Sequence, residues 1–121
     1  MLASLLASLA ALAFGAIGAG AALAPEKLSA NFGIPVEDAA GRAYVRGLGA
    51  RDAIVGMLIA TFLASRNRPA LAATLGIAAL AGVSDFVVVF RERGSSAAGS
   101  LAIHASGTIG LLFVAGLVAR R

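Results

Sequence analysis

Four side chains with acid–base or charge-stabilising chemistry occur inside long apolar stretches of the chain. Arg51 and Asp52 lie in the run Y-V-R-G-L-G-A-R-D-A-I-V-G at Tyr44–Gly56, and Asp85 and His104 lie in two later apolar runs. An ionisable side chain inside hydrocarbon costs about 2.5–3.5 kcal/mol on insertion scales, so it normally faces a protein interior and has a partner. Carboxylates and an imidazole can exchange protons, and a guanidinium can stabilise developing negative charge. We therefore take these four residues as candidate catalytic groups.

The positions of these groups in the expected helices predict that they converge. Asp85 lies five residues before the end of the third apolar segment, and His104 lies four residues after the start of the fourth. Arg51 and Asp52 lie in the half of the second segment that is nearest the same side of the membrane. All four groups therefore fall in one half of the bilayer, and the simplest physical account is a polar pocket between three helices.

The helical angles suggest how the charges pair. At about 100° per residue, Arg51 and Asp52 point in different directions along the second helix. We therefore expect that they are not simply each other's salt bridge. One arrangement pairs Asp52 with Arg46 or His104, and pairs Arg51 with Asp85.

Five further positions complete the expected ligand-binding set: Arg46, Tyr44, Gly49, Gly56 and Thr108. Gly49 and Gly56 share the face of Asp52 and would let a neighbouring backbone approach closely. Thr108 lies on the same face of its helix as His104. The alternative interpretation is a polar lock, in which the charges only fix the helix register. A separate interpretation of Arg46 is that its long side chain extends to the headgroups.

No cofactor or metal is predicted. His104, Asp52 and Asp85 could contribute to a metal site, but the neighbouring Arg51 argues against a bound cation. A single histidine excludes haem ligation by two histidines. The segment G-L-G-A-R-D lacks the strand–turn–helix context that a nucleotide-binding loop requires.

The composition places the chain in a membrane. Of its 121 residues, 60% are hydrophobic and 13% are charged, and the mean hydropathy is +0.92. Soluble domains contain about 25% charged residues. The absence of cysteine excludes disulfides and thiolate chemistry. The net charge of +4 comes from basic residues scattered between apolar segments, which favours residues flanking membrane spans over nucleic-acid binding.

The expected fold is an all-α membrane protein, a single domain of residues 1–121 that forms an up-down-up-down bundle of four transmembrane helices. The predicted helices cover residues 2–24, 42–65, 70–90 and 100–119. Leu2–Ala24 is long enough to span a bilayer, and it is a poor signal peptide because no basic residue precedes it. Pro25–Gly41 is the longest polar connection, interpreted as an ordinary loop or as a lid. Arg66–Pro69 is a tight turn with Pro69 suited to a first helical position.

The charges in the connections give an orientation. Four spans place both termini on one side, with Arg66, Arg68, Arg120 and Arg121 and no acidic residue. The other side has as many basic residues, namely Lys27, Arg42, Arg91 and Arg93, but also four acidic ones. Because the basic residues of the first side lie in shorter segments, we expect the termini in the cytoplasm and the protein in a bacterial inner membrane.

The motif G-L-G-A-R-D-A-I-V-G, with Tyr44 and Arg46 before it and His104 in the last span, resembles a family of small four-helix bacterial and fungal membrane proteins of unknown function. That family is broadly similar to DoxX-like small membrane proteins. The resemblance covers nearly the whole chain in architecture and about 13 residues in motif. It implies a four-helix bundle in a membrane and supplies no catalytic residues.

The residues favour a membrane protein that binds a small lipophilic molecule, terpenoid- or quinone-like, and acts on it by acid–base chemistry such as isomerisation, cyclisation or hydration. Two alternatives remain open. One is a small proton-coupled transporter that works as a dimer, although its charges would crowd one half of the membrane. The other is a structural or accessory subunit. The expected partners are the lipid bilayer, the lipophilic ligand and, in an oligomer, further copies of the chain.

Overall fold

The computed structural model describes residues 1–120, and all of the regular structure in them is helical. Four long helices and one short helix follow one another, with a 3-10 turn, Gly94–Ala97, before the last. The helices are α1 (Leu2–Leu23), α2 (Pro25–Phe32), α3 (Ala39–Ala64), α4 (Arg68–Arg93) and α5 (Ala98–Ala119). Arg121, expected at the membrane interface beside Arg120, lies outside the described residues.

The long connection, predicted to be a loop or a lid, contains the short helix α2. Ala24 lies before a proline and has an extended φ of −143°, so α1 ends at Leu23 and Pro25 starts α2. Gly33, with φ +111°, ends α2, and the N–H groups of Gly33 and Ile34 donate to the carbonyls of Ala30 and Ser29. This is a Schellman motif, in which glycine takes the left-handed position without steric cost.

The buried Ser29 holds the chain that follows α2. Its hydroxyl donates to the Glu26 carbonyl at 2.8 Å and accepts from the Val36 N–H at 3.1 Å. Arg42 adds an ion pair to Glu26, at 3.5 Å, which joins α2 to the start of α3. Because a buried donor without a partner is costly, these bonds give residues 25–38 a defined path over the end of the helices.

The third helix begins earlier than expected because Asp38 caps it. The Asp38 carboxylate accepts from the Gly41 N–H at 2.8 Å, and α3 starts at Ala39 rather than near Arg42. This backbone hydrogen bond holds the pKa of Asp38 below its usual value. The cap is therefore charged at neutral pH, as suits the positive end of a helix.

The turn between α3 and α4 is a second Schellman motif, with arginine in place of glycine. Arg66 has φ +56°, and the N–H groups of Arg66 and Asn67 donate to the carbonyls of Leu63 and Phe62. A left-handed conformation costs a non-glycine residue about 1–2 kcal/mol. The Asn67 side chain then caps α4 by accepting from the Ala70 N–H. Pro69 is the second residue of α4, one position later than predicted, because the helix begins at Arg68.

The helices pack as two close pairs, α1 with α3 and α4 with α5, and fewer contacts join α3 to α4. The first pair is antiparallel, since Gly49 lies against Gly18 and Ala21, whereas Gly56 lies against Ala11. A Cβ on Gly18 would come within 2.8 Å of the Gly49 carbonyl oxygen. The small residues of α1 and α3 therefore bring the two backbones into close contact.

The buried side chains form two clusters at opposite ends of the helices. The larger cluster lies towards the termini and includes Ala7, Ile59, Leu75 and Val114, one from each long helix. The smaller consists of Val89, Ala97 and Leu101, with Phe32, Ile34 and Phe86 packed against it. Phe32 and Ile34 thus fix the connection after α2 on the α4–α5 pair. Arg51, Asp52 and Asp85 lie between members of the two clusters along the chain.

The predicted membrane character is confirmed at the level of the helices. Three helical stretches are long and apolar enough to cross a membrane: Leu2–Leu23, Ala39–Ala64 and Arg68–Ala119, the last of which combines α4, the 3-10 turn and α5. Large apolar side chains such as Leu12, Ile77 and Ile109 are each about two-thirds exposed. An outer surface of this kind is the one that a protein presents to lipid.

Candidate functional site

Three of the four predicted catalytic side chains meet in one cluster between α3 and α4. The Arg51 guanidinium donates to Asp52 Oδ1 from Nε, at 3.1 Å, and from Nη2, at 3.0 Å. The same Nη2 lies 3.9 Å from Asp85 Oδ2 on α4. Arg51, Asp52 and Asp85 are called the charged cluster below.

This geometry corrects one part of the expected pairing and agrees with another. Arg51 and Asp52 do form a salt bridge with each other, although their Cα–Cβ bonds point in different directions. The long arginine side chain spans that difference, which the helical angle alone does not account for. The expected pair between Arg51 and Asp85 is present. Within the described residues, Asp52 pairs with neither Arg46 nor His104.

The charged cluster is only partly covered by protein. The side chains of Asp52, Asp85 and Arg51 are 16%, 24% and 44% exposed, respectively. The Arg51 side chain is the most exposed of the three. Its guanidinium contacts the two carboxylates and also reaches the outer surface of α3 and α4. The site is therefore a half-open polar group on the flank of apolar helices.

His104 lies on α5, and one of its ring nitrogens bonds to the end of α2. Its Nε2 is 2.9 Å from the carbonyl oxygen of Phe32, and its ring meets the Phe32 ring edge-on at 4.8 Å between centroids. A carbonyl only accepts, so Nε2 carries the proton and donates. His104 thus holds the end of α2 on α5, and its predicted exchange of a proton with Asp52 or Asp85 stays a prediction.

The sequence interpretation missed the residues that anchor the end of α2. Arg93 donates to the Gly33 carbonyl at 3.4 Å, and Phe32 supplies both a carbonyl and a ring to His104. A signal for this helix was present, because Pro25 and Gly33 are eight residues apart and mark a helix start and a helix end. The partners of a backbone carbonyl are set by the tertiary fold, however, and have no pattern in the sequence.

Arg46 and Tyr44 lie outside the charged cluster. Both side chains are exposed, Tyr44 to 78%. Tyr44 lines a shallow groove on the outer face of α3 together with Ala40, Ala43, Gly47 and Leu48. Their assignment to ligand binding stays a prediction.

Gly49, Gly56 and Thr108 lie in contacts between helices. Both glycines are buried against α1, as expected from their small size, so their α-carbons serve the packing of α1 on α3. Thr108 lies against Gly82, and its hydroxyl oxygen is buried with no hydrogen-bond partner among the described residues. These three positions support the helix pairs, and their assignment to ligand binding stays a prediction.

Two cavities of the structure lie away from the charged cluster. One is the groove beside Tyr44, and the other, of about 310 Å³, lies at the end where α1 and α4 begin. Among residues 1–120, no three His, Asp or Glu side chains lie close enough together to hold a metal ion. The charged cluster is therefore a partly exposed polar site on the side of the helices, and a ligand would approach it from that side.

The comparisons with known proteins yield one match. Residues 11–118 match a family described as "Domain of unknown function (DUF4267)". The predicted likeness to an uncharacterised family is thereby confirmed, whereas the narrower likeness to DoxX-like proteins stays a prediction. No curated protein and no solved structure matches the chain.

Proposed function

Because the chain belongs to the DUF4267 family, whose function is unknown, we propose its role from its own residues: it binds a small, neutral lipophilic molecule at the charged cluster. The observation that supports this most directly is the Arg51 guanidinium, which is 44% exposed and lies 3.9 Å from the Asp85 carboxylate. At that distance the two groups form an ion pair, but they are too far apart for a hydrogen bond. Arg51 donors and Asp85 acceptors thus remain for a ligand.

The charge balance defines the head of the ligand. One guanidinium faces two carboxylates, so a negatively charged head group would meet net repulsion. A hydroxyl or carbonyl group can accept from Arg51, and a hydroxyl can also donate to Asp85. The apolar side chains around the cluster suit a hydrocarbon body, as in a terpenoid alcohol or a quinone. The same carboxylates would exchange a proton with the bound group in acid–base chemistry.

The second candidate is the polar lock, and one observation favours it. Arg51 contacts carboxylates on both α3 and α4, the two helices that share few other contacts. An ion pair in this place fixes one helix pair relative to the other. Loss of the charges would then lower the free energy of unfolding. Removal of a binding site, by contrast, commonly leaves that free energy unchanged or raises it.

Three variants of the charged cluster separate the two candidates: Arg51→Gln, Asp52→Asn and Asp85→Asn. The purified proteins are compared by thermal unfolding and by mass spectrometry of the retained lipid extract, and then by binding of farnesol and a short-chain quinone. For a binding site, Arg51→Gln weakens binding about tenfold or more, as expected for a lost charge-assisted hydrogen bond, and leaves stability in place. Arg91→Gln, which removes an exposed arginine of α4 outside the charged cluster, is the control and retains binding. Lowered stability in all three variants, with no ligand in the wild type, would leave the polar lock.

The membrane topology belongs to the same proposal. We infer four spans in up-down-up-down order, with the termini and the turn at residues 65–67 in the cytoplasm of a bacterial cell and α2 outside, since the basic residues of the first side lie in short segments. The chain has no cysteine, so single introduced cysteines report their side directly. A membrane-impermeant maleimide should label Ser95→Cys in intact cells and Ser65→Cys only after permeabilisation. Labelling of both before permeabilisation contradicts the four-span order, and the reverse pattern contradicts the orientation.

A further inference from the structure

The groove at the termini end of the helices combines apolar walls with arginine. It has a volume of about 310 Å³ and lies where α1 and α4 begin and α3 and α5 end. Phe62, Leu63 and Leu71 contribute apolar surface, and Ser4, Arg66 and Arg68 contribute polar groups. A pocket with an apolar body and a few convergent polar groups is the usual form of a ligand site.

This end of the molecule is strongly positive. All six acidic residues of the chain lie elsewhere, at positions 26, 37, 38, 52, 85 and 92. Asp52 is the nearest along α3, 12 residues before its last residue, Ala64, or about 18 Å at 1.5 Å per residue. The guanidinium groups of Arg66 and Arg68 at the groove therefore have no acidic side chain close by, and Arg120 adds to the charge at the end of α5.

Both arginines of the groove retain donors for a ligand. Arg68 is half-buried and donates from Nη2 to the Val118 carbonyl at the end of α5, which positions its guanidinium and uses one of five N–H donors. Arg66 is exposed and occupies the left-handed position of its turn, where glycine or asparagine is the usual residue. The structure thus keeps a guanidinium at this place despite an unfavourable backbone conformation.

We propose that this groove binds the phosphate of an anionic phospholipid, with Arg66 and Arg68 on the phosphate and the first part of an acyl chain against Phe62, Leu63 and Leu71. Guanidinium groups bind phosphate through paired, charge-assisted hydrogen bonds. Basic pockets at the cytoplasmic ends of membrane helices suit lipid head groups of this kind. A phospholipid supplies both the anion and the apolar chain that the walls of the groove require, whereas free phosphate supplies only the first. This site is at the opposite end of the helices from α2 and is independent of the charged cluster.

Lipid binding by the full chain in detergent tests the proposal. Native mass spectrometry with phosphatidylglycerol and with phosphatidylcholine should show preference for phosphatidylglycerol in the wild type. Arg66→Asn removes the guanidinium and suits the left-handed backbone, so the protein should fold and bind phosphatidylglycerol about tenfold more weakly, as expected for one lost charge-assisted contact. Arg66→Lys keeps the charge and should retain most of the preference.

A control variant tests whether the preference for phosphatidylglycerol comes from the groove. Arg91→Asn removes an exposed arginine at the other end of α4 and should leave phosphatidylglycerol binding unchanged. Equal losses in Arg66→Asn and Arg91→Asn would overturn the proposal, because general attraction by net charge would then explain the preference.

Inorganic phosphate should compete poorly with phosphatidylglycerol. If it competes as well as the lipid does, the groove is a site for soluble phosphate and the lipid proposal is wrong.

Discussion

Replacing Gly49 with alanine should lower the free energy of unfolding by about 1–3 kcal/mol, the usual cost of overpacking a well-packed contact. The added Cβ would overlap the Cβ of Ala21 on α1, and the Gly18 carbonyl oxygen lies 3.3 Å from the same position. Neither neighbour can give way easily, since one is a methyl group on a helix and the other is backbone. We expect α1 and α3 to move apart, which unfolding in mixed micelles, followed by circular dichroism, would detect.

Gly47→Ala is the matched control on the same helix. A Cβ there meets nothing within 4 Å, so the substitution should gain about 0.5–1 kcal/mol from helix propensity alone. Two glycine-to-alanine changes two residues apart are thus expected to have opposite signs. Ala21→Gly in the Gly49→Ala protein returns the lost space and should recover part of the stability. If Gly49→Ala stabilises as Gly47→Ala does, the close contact between α1 and α3 is wrong.

Replacing Gly33 with alanine should have a comparable or larger effect, confined at first to α2. The residue has φ +111°, and its Cβ would lie 2.8 Å from Val89 Cγ1 and 2.9 Å from Ser100 Cβ. The left-handed cost of about 1–2 kcal/mol and the overpacking cost of about 1–3 kcal/mol together amount to roughly 2–5 kcal/mol. We expect the end of α2 to leave the α4–α5 pair and the hydrogen bond of His104 to Phe32 to break.

The chain offers a simple assay for this change. Lys27, in α2, is its only lysine, so endoproteinase Lys-C has a single site. Cleavage at Lys27 should be much faster in Gly33→Ala than in the wild type. Gly94→Ala is the control, because Gly94 also has positive φ but has open space around it and lies outside α2. Equal cleavage of the wild type and Gly33→Ala would contradict the anchoring of α2.

The long helices can be predicted from the sequence because the length of an apolar segment does not depend on how the chain folds. Leu2–Leu23 was placed to within one residue of its end, since a proline two residues later sets the boundary. The predicted start of α3 is three residues too late. Asp38 is nonetheless a recognisable N-cap, because aspartate at this position accepts from the N–H group three residues later. The helix α2 is absent from the prediction because the polar composition of Pro25–Phe32 favours a loop.

The charged cluster was partly predictable. Helix depth correctly placed Arg51 and Asp85 within reach of each other, because both positions follow from span boundaries. The pairing of Arg51 with Asp52 was missed, since a backbone angle describes the Cα–Cβ bond and not the far end of a long side chain. The bond of His104 to Phe32 depends on where a backbone carbonyl lies after folding, and no residue type in the sequence encodes that position.

The pairing of α1 with α3 has a consequence for synthesis of the chain. The partner of α1 is completed only at Ala64, 41 residues after Leu23 (64 − 23). At 5–20 residues per second, the ribosome needs about 2–8 s to make that stretch. During this interval the glycine-containing face of α1 has no α3 to cover it. We expect early truncations, which end before Gly49, to be the chains that membrane quality-control proteases remove first.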